Sequence, residues 1–192
     1  MPEGSPLAVW TRARRALAPA LAQRGHDVLV RHAMRYGQPS VAQVMDELRA
    51  AGATRVLVLP LYPQYAAPPR PAWPMRCTSW ALGARWVPEL RSIGQYHDDP
   101  GYIDALAAAC AALAAAWPRP NGWCSASTAC PSAACCWAIP TTASATRRRG
   151  CWRERLGLPA DEVLVTFQSR FGKAKWLEPY TEPTCANWRR KA

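Results

Sequence analysis

Apolar residues fall along this chain in two periods, and the switch between them marks out the elements. Val41, Val44, Met45 and Leu48 recur at three- and four-residue steps, the spacing that stacks side chains on one helix face. Gly52 then offers a left-handed stop. Val56-Leu57-Val58-Leu59 runs apolar without a break, as a parallel strand covered on both faces does. His26–Ala33, centred on Val28-Leu29-Val30, predicts an earlier strand, so a helix lies between two strands and the stretch to Tyr65 organises the rest. Ahead of it, Ser5 and Pro6 form a helix-start signature. Leu7, Trp10, Leu17 and Leu21 give that helix an apolar stripe, Pro19 is expected to kink or shorten it, and Gly25 ends it.

After Tyr65 the pattern collapses, because Ala66–Pro71 has neither period and its prolines forbid a central strand. Order resumes with a short strand near Leu90–Gly94. Asp99 and Pro100 then open an alanine-rich helix that runs to about Trp117, with Tyr102, Ile103, Leu106 and Leu113 as its bulky contacts. From Pro118 to about Arg149 the text reads as neither strand nor helix. Trp152–Leu158 resembles a helix end stopping at Gly157, and Asp161–Gln168 reads as a strand. The expected class is α/β, a partial doubly wound parallel sheet of about four strands interrupted by disordered or poorly packed segments. Residues 1–182 form the α/β region, with aperiodic segments at 66–85 and 118–151, and 183–192 form an aperiodic basic tail.

A chain of 192 residues, 49% apolar, can bury one good core. Its longest apolar run, Ala105–Trp117, falls short of the roughly 20 residues that a bilayer span needs. Met1 leads into Pro2-Glu3-Gly4-Ser5 rather than a basic and then apolar leader, so the expectation is a soluble, cytoplasmic protein. The net charge of +11 is confined to three stretches without Asp or Glu: Tyr65–Pro88, Ala105–Arg153 and Pro183–Ala192. The rest of the chain balances. Cysteines and most of the tryptophans gather in the same stretches. Without a folded basic platform, the run Arg147–Arg149 reads as solvated charge, and no nucleic-acid partner is expected.

In open α/β sheets the ligand crevice lies beyond the carboxyl ends of the strands. Met34-Arg35-Tyr36, Tyr62-Pro63-Gln64-Tyr65 and the Trp176–Thr181 segment all fall there. His97, Asp98 and Asp99 invite a metal reading, yet the aspartates are explained by capping at a strand-to-helix turn. His26 and His32 read as structural. Cys130, Cys135, Cys136 and Cys151 make no paired CxxC units, so neither zinc nor a disulfide framework is expected, and no metal site is assigned.

Five separated motifs carry a family resemblance: GSP at Gly4–Pro6, AMRYGQPS at Ala33–Ser40, LPLYPQY at Leu59–Tyr65, YHDDP at Tyr96–Pro100, and VTFQSRFG with WLEPYT within Val165–Thr181. In order and spacing they resemble ferrochelatase, the terminal enzyme of haem synthesis. The resemblance implies a chelatase-like fold, protoporphyrin IX and Fe²⁺ as substrates rather than a resident cofactor, and a place in the cytoplasm or in peripheral contact with a membrane. It implies porphyrin-contacting roles for Ser5, Arg35, Tyr36, Tyr62 and Trp176. Family members are longer at both ends, and a second half with an acidic metal-site motif is missing from the resemblance. The acid-free stretches are consistent with family sequence read in a neighbouring frame. On that reading the codon for the family's catalytic histidine straddles Ser127 and Thr128, so no catalytic residue is assigned. A catalytically dead porphyrin-binding fragment and a basic interaction module are the competing readings.

Overall fold

The computed structural model describes residues 6–64, 73–116, 123–128, 141–169 and 172–191. Along them run α1 (Pro6–Gln23), α2 (Val41–Ala50), β1 (Arg55–Val58), α3 (Trp73–Gly83), β2 (Glu89–Ser92), α4 (Pro100–Ala116), β3 (Trp123–Thr128), α5 (Thr141–Leu156), β4 (Val163–Gln168) and α6 (Thr181–Lys191). A 3-10 turn at Ala160–Glu162 leads into β4. The class is α/β, and the chain divides into two compact units, residues 1–58 with 71–91 and residues 59–70 with 92–192.

The first unit is built around α2. The Ser40 hydroxyl accepts a hydrogen bond from the Gln43 amide at 3.2 Å and so satisfies one of the orphan donors at the helix start. At the other end Gly52 takes φ +80°. The Ala53 amide reaches the Leu48 carbonyl and the Gly52 amide the Arg49 carbonyl, the bond pair of a Schellman stop. Val44, Met45 and Leu48 are buried, and Cys77 of α3 is buried in the same unit. Trp80 of α3 donates from Nε1 to Asp46 at 3.0 Å, with the Arg49 guanidinium 5.6 Å from its ring centroid.

Four expectations are corrected here. The segment read as aperiodic from 66 to 85 contains α3, held against α2 by Trp80. Helix α1 is not shortened at Pro19 but runs on to Gln23; the proline sits so near the end that its missing N–H removes one bond close to the last turn. His26–Ala33 is not a strand: its residues form no bridge to any described residue, the isolated one from Met34 to Ser40 falls just beyond it, and Val28 and Leu29 are exposed. An apolar run makes a strand only where a partner backbone takes up its amides and carbonyls. Strand β1 pairs with β2, but it is not covered on both faces, because Val56 and Val58 are half-buried while Leu57 is 63% exposed.

The second unit is a small three-layer sandwich. Strands β3 and β4 pair in parallel from Trp123 with Val163 to Thr128 with Gln168. Side chains alternate across a sheet, so Trp123, Ser125 and Ser127 share one face with Val163, Val165 and Phe167. Helices α4 and α5 cover that face: Ile103, Ala107, Trp152 and Val163 form one core cluster, and Trp123 meets Trp152 edge to face at 5.9 Å. Ala145, Phe167 and Trp176 form a second cluster. On the opposite face α6 is joined by the Thr181 to Thr166 hydroxyl bond at 3.0 Å. Helices on both faces of a parallel pair are the doubly wound arrangement at its smallest. The reading of 118–151 as neither strand nor helix is therefore corrected by β3 and α5, and that of 183–192 by α6.

Candidate functional site

Arg35 and Tyr36 stand between the extended segment and α2, and the structure brings them together. The Arg35 guanidinium lies 5.1 Å from the Tyr36 ring centroid, and Arg76 of α3 reaches 5.9 Å from the same ring. Both are within cation–π range. The ring remains 64% exposed, so an open aromatic face is flanked by two cations. That combination suits a flat ligand with anionic arms. Arg76 was not singled out by the sequence, since it falls in a stretch without period and only α3 carries it here.

The remaining predicted residues belong elsewhere. Tyr62 is exposed in the loop after β1, within the second unit. That loop is held by Tyr96, whose hydroxyl donates to the Pro60 carbonyl at 3.0 Å and whose amide donates to the Pro63 carbonyl at 2.9 Å. Burial, and then the neighbouring Tyr102, raise the Tyr96 hydroxyl pKa, keeping it a donor. Trp176 is buried against Ala145 and Phe167. Ser5 lies outside the described residues.

A polar hollow of about 390 Å³ opens in the second unit, lined by Gln95, His97, Asp98, Ala143, Ser144 and Arg147. His97 is buried, and its Nδ1 has no hydrogen-bond partner. Burial lowers its pKa; Asp98 opposes the shift, and Arg147 and Arg148 reinforce it. Asp98 pairs with Arg147 at 2.5 Å. Burial alone would raise the Asp98 pKa, but that hydrogen bond and the nearby positive charges lower it. Asp99 accepts from the Tyr102 amide at 3.1 Å, the capping role expected of it. Among the described residues no three His, Cys, Asp or Glu side chains gather to hold a metal ion.

The end of β3 is occupied by an arginine. Arg148 Nη2 lies 3.0 Å from the Ser125 hydroxyl, 2.9 Å from the Ala126 carbonyl and 2.9 Å from the Ser127 hydroxyl. Ser125 and Ser127 are both buried. Arg149 donates to the Val163 carbonyl. The run Arg147–Arg149, expected as solvated charge, is thus tied to Asp98, β3 and β4, because α5 presses it onto the sheet.

The ferrochelatase family profile matches residues 1–125 and 140–192. The chain is 51% identical over 187 residues to a ferrochelatase of Methylibium petroleiphilum, covering 95% of this chain and 50% of that protein. A ferrochelatase of Polaromonas is 45% identical over 184 residues, with 95% and 50% covered. One from Bordetella pertussis is 41% identical over 192 residues, with 100% and 53% covered. The chain spans about half the length of these relatives. With identity sustained at that level across nearly every residue, the chain belongs to the ferrochelatase family.

Proposed function

We propose that this chain is a ferrochelatase-family region that binds protoporphyrin IX and does not carry out the metal insertion by which the family makes haem. The observation that carries the reading is Ser127. The resemblance gives the catalytic histidine to the end of β3, and there a buried serine hydroxyl accepts from Arg148 instead. Placing Fe²⁺ in the macrocycle requires loss of the two pyrrole N–H protons. Imidazole suits that work because it takes up protons near neutral pH and ligates divalent metals. A serine hydroxyl does neither under those conditions, and a guanidinium repels the incoming cation. The family match also lapses between residues 125 and 140, which supports the loss of the histidine motif.

Porphyrin binding rests on the first unit. Arg35 and Arg76 offer guanidinium groups to propionates, and the open Tyr36 ring offers a stacking face. Ser5, Tyr62 and Trp176 are proposed as further porphyrin contacts on the family resemblance alone, each to be tested by its own substitution. Ferrous iron is a substrate of the family, and no resident cofactor is proposed. No described helix is long and apolar enough to cross a membrane. The proposed location is cytoplasmic, with peripheral membrane contact as the route by which an apolar tetrapyrrole is met.

Absorbance titration with protoporphyrin IX tests the reading. A saturable Soret shift is expected, weakened about tenfold by Arg35→Ala, the loss of one charged hydrogen bond, with no metalloporphyrin formed on adding Zn²⁺ or anaerobic Fe²⁺. Metalation above the protein-free rate would refute the inactive reading. Absence of any Soret shift, together with polyanion binding that disappears with salt, would replace it with a basic interaction module. The pinning of Arg147, Arg148 and Arg149 argues against that alternative. Reading the underlying DNA decides the origin of the acid-free stretches: a verified unbroken frame excludes the shifted-frame account.

A further inference from the structure

The sulfurs of Cys124 on β3 and Cys185 on α6 lie 3.7 Å apart, although the residues are 61 positions apart in sequence. Both are free thiols. The fold places them together from two directions. The parallel register turns Cys124 onto the sheet face opposite α4 and α5, and the Thr166 to Thr181 bond seats the start of α6 on that same face. A disulfide needs sulfurs about 2.05 Å apart, and these two are already in van der Waals contact at 3.7 Å with one of them exposed. Nothing in the chelatase chemistry uses these thiols.

We infer that Cys124 and Cys185 form a redox modification site, closing to an intramolecular disulfide by exchange with a low-molecular-weight disulfide. Cys185 is the exposed member and attacks first. Its thiolate displaces one thiol from the small disulfide and becomes mixed-disulfide-linked. Cys124 then gives up its proton and attacks the Cys185 sulfur, releasing the second small thiol. Two protein thiols are oxidised to one disulfide, and one small disulfide is reduced to two thiols. The order follows from environment: burial first, and then the contact with Cys185, push the Cys124 thiol up to about 11, so it is the poorer initial nucleophile. Once Cys185 is capped, its contribution to that rise is removed and Cys124 is freer to react. The product ties α6 to β3.

The test incubates the full chain with oxidised glutathione, blocks the remaining thiols and maps cross-linked peptides by mass spectrometry. A Cys124–Cys185 peptide, lighter by two hydrogens than the separate thiols, is expected as the main cross-link. In Cys124→Ser the expected product is glutathione retained on Cys185, which separates a missing resolving thiol from a misfolded variant. The same oxidation in concentrated urea should drop the pair to the frequency of random pairing among the eight cysteines. The inference is overturned if the native and urea yields match. Cys124 and Cys185 remaining separately glutathionylated, or pairing with other cysteines in the native chain, also overturns it.

Discussion

Arg148 has one nitrogen shared among three acceptors on β3, two of them buried serine hydroxyls. Truncation leaves those hydroxyls and a carbonyl without their donor in a place water does not reach freely. Arg148→Ala should therefore lower the unfolding free energy by about 2–3 kcal/mol, measured by urea denaturation; a loss under half a kilocalorie would contradict the pinning. His97 gives a second residue-scale expectation. Its folded pKa is depressed, by burial first and then by Arg147 and Arg148 against the opposing pull of Asp98. The unfolded state binds the proton more readily. Stability from this group is complete above its ordinary pKa of 6.5 and falls as pH drops below it, towards the lower folded value. Thermal midpoints should decline between pH 7 and pH 5, and His97→Gln should flatten that decline. Equal slopes for both proteins would show that another group is responsible.

Among the elements, α2 was legible because every signal agrees: apolar positions at helical steps, a Ser40 cap and a Gly52 stop. Gly52 has open space where a Cβ would sit, so Gly52→Ala should cost about 1 kcal/mol through its positive φ alone, and Ser40→Ala about as much through the lost cap. Far-UV melting curves of the two variants check both values. Helix α5 was illegible for a definite reason. Its buried residues Thr141, Ser144, Ala145 and Trp152 keep helical spacing, but small and polar side chains carry most of the stripe. A search for apolar periodicity passes over it. Strand β3 was hidden likewise, because Ser125 and Ser127 become buried only when Arg148 satisfies them. The opposite failure occurred at His26–Ala33, where the apolar pattern is clear and no ladder forms. Of the candidate site, the pairing of Arg35 with Tyr36 was readable from the family motif. Arg76 and the His97 hollow were not, since both draw on helices that leave no apolar trace.

At the scale of the molecule, the second unit holds a covered parallel pair, while the first leaves apolar surface bare. Val28, Leu29, Leu57 and Leu82 are each more than half exposed, and the chain spans about half the length of its relatives. Apolar surface of this kind attracts hydrophobic dyes and other chains. The chain should enhance anilinonaphthalene sulfonate fluorescence under native conditions, and Leu57→Thr should reduce the signal without lowering stability. An unchanged signal would place the dye elsewhere. Arg148 also bears on any change made at the end of β3. Grafting an imidazole at Ser127 would set it beside a fixed guanidinium, which discourages both protonation and metal ligation. An imidazole there would keep its ordinary proton affinity only if Arg148 were exchanged at the same time, so the two positions are coupled and neither can be altered independently of the other.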